Sequence, residues 1–137
     1  MTPVFVGDDP RTPAWPVPDE PGLLIAYWFC TVDAWRPEGT GWRNDIGSWR
    51  TWIARPEVSI DGMPVAAGWS GWWYPVPPGP HLVEVRSPAP ATRRVNVPAK
   101  GRPLLAYRAY LSFCVDVGTD TVLAMGGTAS LTQPLGG

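Results

Sequence analysis

Apolar positions along this chain alternate with polar ones and show no helical recurrence. Residues Pro103 to Asp116 carry the cleanest case. Leu105, Tyr107, Ala109, Leu111, Phe113 and Val115 fall on one face, and Arg108, Ser112, Cys114 and Asp116 share the other. A period of two is the mark of a half-buried strand. The same alternation puts Val83 and Val85 inward in His81–Arg86, and Val95 and Val97 inward in Arg93–Val97. A strand over roughly 49–60 ends at Asp61-Gly62, a strong two-residue hairpin signal. Another covers Trp69 to Val76, before the Pro77–Pro80 turn, and a last short strand over 121–125 precedes a Gly-rich tail. Short strands punctuated by Pro and Gly predict an all-β protein built as a β-sandwich, with Val83, Val85, Val95, Leu105, Tyr107, Leu111 and Phe113 in its central core.

The stretch from Gly22 to Val32 departs from this alternation. Leu24, Ala26, Trp28 and Cys30 point one way and Leu23, Ile25, Tyr27 and Phe29 the other, so the strand is apolar on both faces. Something must cover its second face: the preceding arm, the following loop or a partner chain. The arm, residues 1–21, holds six prolines and cannot form helix or interior strand. It is either a disordered tail or an extended segment laid along a surface, with Phe5 and Trp15 as anchors. The division expected is therefore an extended arm at 1–21 and a single sandwich domain at 22–137.

Residues 33–48, rich in Gly and Pro, predict a long loop. Trp35-Arg36, Trp42-Arg43 and Trp49-Arg50 recur at a spacing of seven. Pro37, Gly39, Gly41 and Gly47 rule out the helix on which that spacing would form a seam. Of the nine tryptophans, all but Trp15 lie between Trp28 and Trp73, which is dense for a core of this size. The adjacent Trp72 and Trp73 must also face opposite ways on a strand. Trp and Arg are the residues most enriched at binding hot spots. The candidate binding set is therefore Trp35, Arg36, Trp42, Arg43, Trp49, Arg50 and Trp72.

Composition narrows the chemistry. With 11 basic and 12 acidic residues, nothing argues for an electrostatic grip on nucleic acid. No apolar run is long enough for a membrane span, and the N-terminus lacks the basic and apolar regions of a signal peptide. The default expectation is thus cytoplasmic, or a place within an exported or surface assembly. One histidine and two separated cysteines, Cys30 and Cys114, give no metal-ligand spacing, so no metal and no cofactor are expected. A Cys30–Cys114 disulfide would require their strands to face each other in an oxidising compartment. His81 fits a structural role, with a ring nitrogen bonded to turn backbone. Asp33, Glu38 and Asp45 are loop acids without the fixed pairing that glycoside chemistry requires. No enzyme is expected.

Residues Pro56 to Val65, with Asp61-Gly62, and Val76 to Val85, with Pro78, Gly79, His81 and Val83, resemble a PEGA-type repeat. The resemblance extends over about 56–113, where Val95 to Val97, Gly101 and Leu104 to Tyr107 continue it, and the string is also similar to small actinobacterial proteins of undefined function. It implies an Ig-like or transthyretin-like β-sandwich, usually a non-catalytic module of envelope, surface or interaction proteins, and it supplies no catalytic residues. The functional expectation is a protein-binding or structural module, self-associating or part of a larger assembly. The alternative is a carbohydrate-binding module, with exposed Trp rings stacking on sugars and Glu38, Asn44 or Asp45 bonding their hydroxyls.

Overall fold

A computed structural model describes residues 2–7, 18–35, 55–116 and 121–133, with 30–35, 112–116 and 121–126 as backbone only. The chain is all-β, and the described residues contain no helix. Nine strands follow in order: β1 (Val4–Gly7), β2 (Gly22–Trp35), β3 (Glu57–Ile60), β4 (Met63–Val65), β5 (Ser70–Pro75), β6 (Gly79–Ser87), β7 (Ala91–Val97), β8 (Leu104–Asp116) and β9 (Thr121–Thr132). They form a five-stranded sheet of order β1-β5-β2-β8-β9 and a four-stranded sheet of order β4-β3-β6-β7.

The inner faces of the two sheets share one apolar core. Leu23, Ile25, Tyr27, Leu105, Tyr107 and Leu111 of the larger sheet pack with Val58, Ile60, Val83, Val85, Val95 and Val97 of the smaller. Of the core residues expected from alternation, all but Phe113 are buried, and the Phe113 side chain lies outside the described residues. Three tyrosines reach into this core, and each finds a partner for its hydroxyl. Tyr74 donates to the Ala66 carbonyl at 2.8 Å, which leaves the Tyr27 hydroxyl to donate to Tyr74 at 2.7 Å. Tyr107 donates to the Ala89 carbonyl at 2.7 Å and accepts from the Ala89 amide at 3.2 Å, tying the β6–β7 connection to β8. Burial raises all three hydroxyls above their ordinary value, so they stay protonated and remain donors.

Four elements differ from the sequence expectation. β2 continues through residues 33–35, expected as loop, because it pairs in parallel with β8 as far as Trp35 opposite Cys114, with one irregularity between Thr31 and Asp33. The third strand begins only at Glu57, since Pro56 has no N–H to give a ladder; residues 49–54 lie outside the described residues. A short strand, β4, occupies Met63–Val65 and pairs back on β3 through the Asp61-Gly62 turn. Asp61 and Gly62 both have positive φ, 52° and 79°, the conformation a two-residue hairpin of this kind requires.

The fourth difference is β9, which runs to Thr132 where a Gly-rich tail was expected. A Cβ on Gly127 would stand 2.6 Å from the Tyr110 carbonyl oxygen and 2.8 Å from Leu111 Cδ2. The glycine is therefore there for close approach of two strands, and beyond it Leu131 returns to the core. At the other edge, Val4–Gly7 of the proline-rich arm pairs with β5, so this part of the arm lies along the sheet as an edge strand. Phe5 anchors there edge-on against Trp72, at 5.7 Å between ring centroids; Trp15 lies outside the described residues. Register also separates the cysteines. Cys30 stands opposite Tyr110 and Cys114 opposite Trp35. About four residues at ~3.3 Å each put them ~13 Å apart along neighbouring strands, too far for a disulfide.

Candidate functional site

The face of the five-stranded sheet turned away from the core carries an exposed arginine and an exposed tyrosine, Arg108 and Tyr110, beside the half-buried Trp28. Alternation sends Leu24, Ala26 and Trp28 of β2 to this face, with Leu104, Ala106, Arg108 and Tyr110 of β8. Parallel pairing sets Leu24 opposite Leu104, Ala26 opposite Ala106 and Trp28 opposite Arg108. One end of the face is closed. Val6, Leu24, Ala26, Trp73 and Leu104 form a second buried cluster, with Val4 and Trp28 packed at its margin. Trp73 is its largest member, only 2 % exposed, and its indole lies over Gly22, where a Cβ would come within 2.5 Å of the ring nitrogen. The apolar second face of β2 is thus a real second layer.

Further along, the same face opens. The Arg108 guanidinium sits 5.7 Å from the centre of the Trp28 ring, close enough for a cation–π contact. Arg108 is exposed and Trp28 half-buried. Tyr110, two residues on along β8, is 40 % exposed. Ser130 and Thr128 of β9 stand opposite Arg108 and Tyr110. Indole, guanidinium and phenol are the side chains most enriched at binding hot spots.

The candidate residues read from the sequence fall unevenly. Trp35 ends β2, with its side chain outside the described residues; Arg36, Trp42, Arg43, Trp49 and Arg50 lie outside them altogether. Trp72 is half-buried and turned towards the main core, with Phe5 against its ring. The adjacent Trp73 faces the other way, as two neighbours on a strand must. Trp69 packs edge-on against Phe29 at 4.7 Å. The indole N–H groups of Trp69, Trp72 and Trp73 are buried with no acceptor among the described residues. What these three supply is apolar area, and none offers its N–H to a ligand. Trp28, Arg108 and Tyr110 were missed as a group because they lie on two strands, and only the register joins them.

The lone histidine is fully engaged. His81 opens the inward row of β6, with Nδ1 2.6 Å from Asp61 Oδ2 and Nε2 2.7 Å from the Pro77 carbonyl oxygen. Asp61 Oδ1 accepts from the Leu82 amide at 2.8 Å, and the Asp61 amide donates to the Leu82 carbonyl at 2.8 Å. Both ring nitrogens are occupied by structural partners, so neither is free to take a proton from a substrate. The outer side of the smaller sheet has a cleft of about 570 Å³ lined by Pro64, Glu84, Arg86 and Thr92 among others. Among the described residues no three His, Cys, Asp or Glu side chains come together to hold a metal, and no helix is long and apolar enough to cross a membrane.

The chain matches no known family, no curated protein and no solved structure.

Proposed function

We propose that this chain is a non-catalytic, Ig-like or transthyretin-like β-sandwich module that binds a protein partner through the outer face of its five-stranded sheet. The observation that carries the reading is the Trp28–Arg108–Tyr110 group, open to solvent on a face whose other end is already packed. Of the Trp/Arg positions expected at 35–50, only the backbone of Trp35 lies within the described residues, so the group on β2 and β8 carries the reading. The PEGA-like string supports an interaction module, since its Asp61, Gly62 and His81 are all committed to holding turns. Arg108 lying over the Trp28 ring favours a protein partner over a sugar, because a sugar would stack on that ring face.

The test pairs Arg108→Ala with Tyr110→Ala, two exposed changes on the rim of the patch. Chemical cross-linking with mass spectrometry identifies the partner, or a second copy, and calorimetry measures its affinity. The double variant is expected to weaken binding by at least about 2 kcal/mol, the scale of a hot spot, while its unfolding free energy stays within ~0.5 kcal/mol of the parent. Unchanged affinity would move the interface elsewhere. Saturable glycan binding by a monomer, lost in the same variant, would replace the protein reading with the carbohydrate one.

A further inference from the structure

We propose that His81 and Asp61 form a proton-operated latch. A doubly protonated imidazole ring ties the β3–β4 turn to the connection between β5 and β6, and loss of one ring proton breaks one of the two bonds of that tie. The geometry dictates the protonation. Nε2 faces a backbone carbonyl, which can only accept, so Nε2 carries a hydrogen. Nδ1 faces a carboxylate oxygen at 2.6 Å, and an ionised carboxylate also only accepts, so one further proton must lie between those two atoms. A neutral ring satisfies one partner and turns a lone pair towards the other.

The surroundings leave Asp61 as the controlling charge. From the β5–β6 connection Pro77 presents a carbonyl; from β7 the residue opposite is Val95. Among the described residues no other ion pair involves the ring. Burial alone would push the imidazolium down. The hydrogen bonds to Asp61 and Pro77, with the attraction of the Asp61 charge, outweigh it and hold the ring above its ordinary value of 6.5. The bond to His81, then the Leu82 amide, hold the Asp61 carboxyl below its ordinary value of 3.8, against the opposing effect of burial.

These directions set a window. With its folded value raised, His81 stabilises the latch fully below pH 6.5, and that contribution is lost as pH rises through the raised value. With its folded value lowered, Asp61 contributes above pH 3.8 and loses its effect as pH falls through the lowered value. The latch is closed between the two folded values. What it holds is the β3–β4 hairpin, whose three-residue edge strand β4 carries Met63, 67 % exposed. The ladder and the two Asp61–Leu82 bonds remain when the ring loses a proton, so opening loosens the hairpin without unpairing it.

The chain has one histidine, so imidazole 15N resonances report on His81 alone. In the full chain we expect both ring nitrogens protonated at pH 6 and a titration midpoint above 6.5. Exchange protection of the Met63 and Val65 amides, corrected for intrinsic rates, should fall as His81 deprotonates, about tenfold for each unit by which the midpoint is raised. Asp61→Asn keeps a side-chain oxygen for the Leu82 amide and tolerates the same φ. It should bring the midpoint to 6.5 or below and flatten the pH dependence of protection. A parental midpoint at or below 6.5, or protection of these amides that ignores the His81 titration, would overturn the latch.

Discussion

Trp73→Ala is expected to lower the stability of the chain by about 3–5 kcal/mol, the range for removing a large aromatic from a packed interior. The side chain is 2 % exposed and is the largest of the fully buried set. It packs with Val6, Leu24, Ala26 and Leu104 on the outer face of the five-stranded sheet, not in the core between the sheets. Its indole N–H has no acceptor among the described residues, so the substitution loses apolar area and no hydrogen bond. The change should also loosen β1, because Val4 pairs with Trp73 across the β1–β5 ladder and Val6 packs in the same cluster. Urea denaturation followed by tryptophan fluorescence gives the stability change, and hydrogen exchange at Val4 and Val6 reads the edge strand. A cost below ~1 kcal/mol would mean that the outer layer contributes little and that the β2 sheet face is held by the inner core alone.

That outer layer was legible in outline. The run from Leu23 to Cys30 is apolar at every step, and a strand apolar on both faces must be buried on both. The register of Leu24, Ala26 and Leu104 with Trp73 fulfils the requirement. The alternation in 81–86, 93–97 and 103–111 also transferred directly into structure, because the facing of a strand is a local property. What failed to transfer was non-local. The parallel pairing of β2 with β8 is set by contacts between segments far apart in the chain, and it alone decides that residues 33–35 are strand. Chain neighbours such as Trp35 and Arg36 looked like the binding pair. The pair that stands on the exposed face, Trp28 with Arg108, is joined only across the ladder. His81 was legible in role, and its bond to Pro77 is the turn contact expected. Its second bond, to Asp61, joins two turns that only the fold brings together.

Gly127→Val is expected to destabilise the chain by about 3 kcal/mol, at the upper end of the usual cost of overpacking. The reason is the nature of the obstacle. A Cβ at this position meets the Tyr110 backbone oxygen at 2.6 Å and the Leu111 Cα at 3.3 Å, and backbone in the middle of a ladder cannot swing aside as a flexible side chain can. Relief requires β8 and β9 to separate around the Leu111–Gly127 pair. That would strain the neighbouring rungs, including Tyr110 opposite Thr128 and Tyr107 opposite Leu131, whose side chain belongs to the core. Gly62→Ala is the matched control for a different mechanism. Nothing stands within 4 Å of a Cβ there, but φ is +79°, so its cost is backbone strain of about 1–2 kcal/mol and falls on the β3–β4 hairpin alone. Thermal denaturation compares the two, and amide exchange along β9 locates the damage. If Gly127→Val melts with the parent, residues 126–132 do not pair with β8, and the Gly-rich tail first expected from the sequence is the better description of this segment.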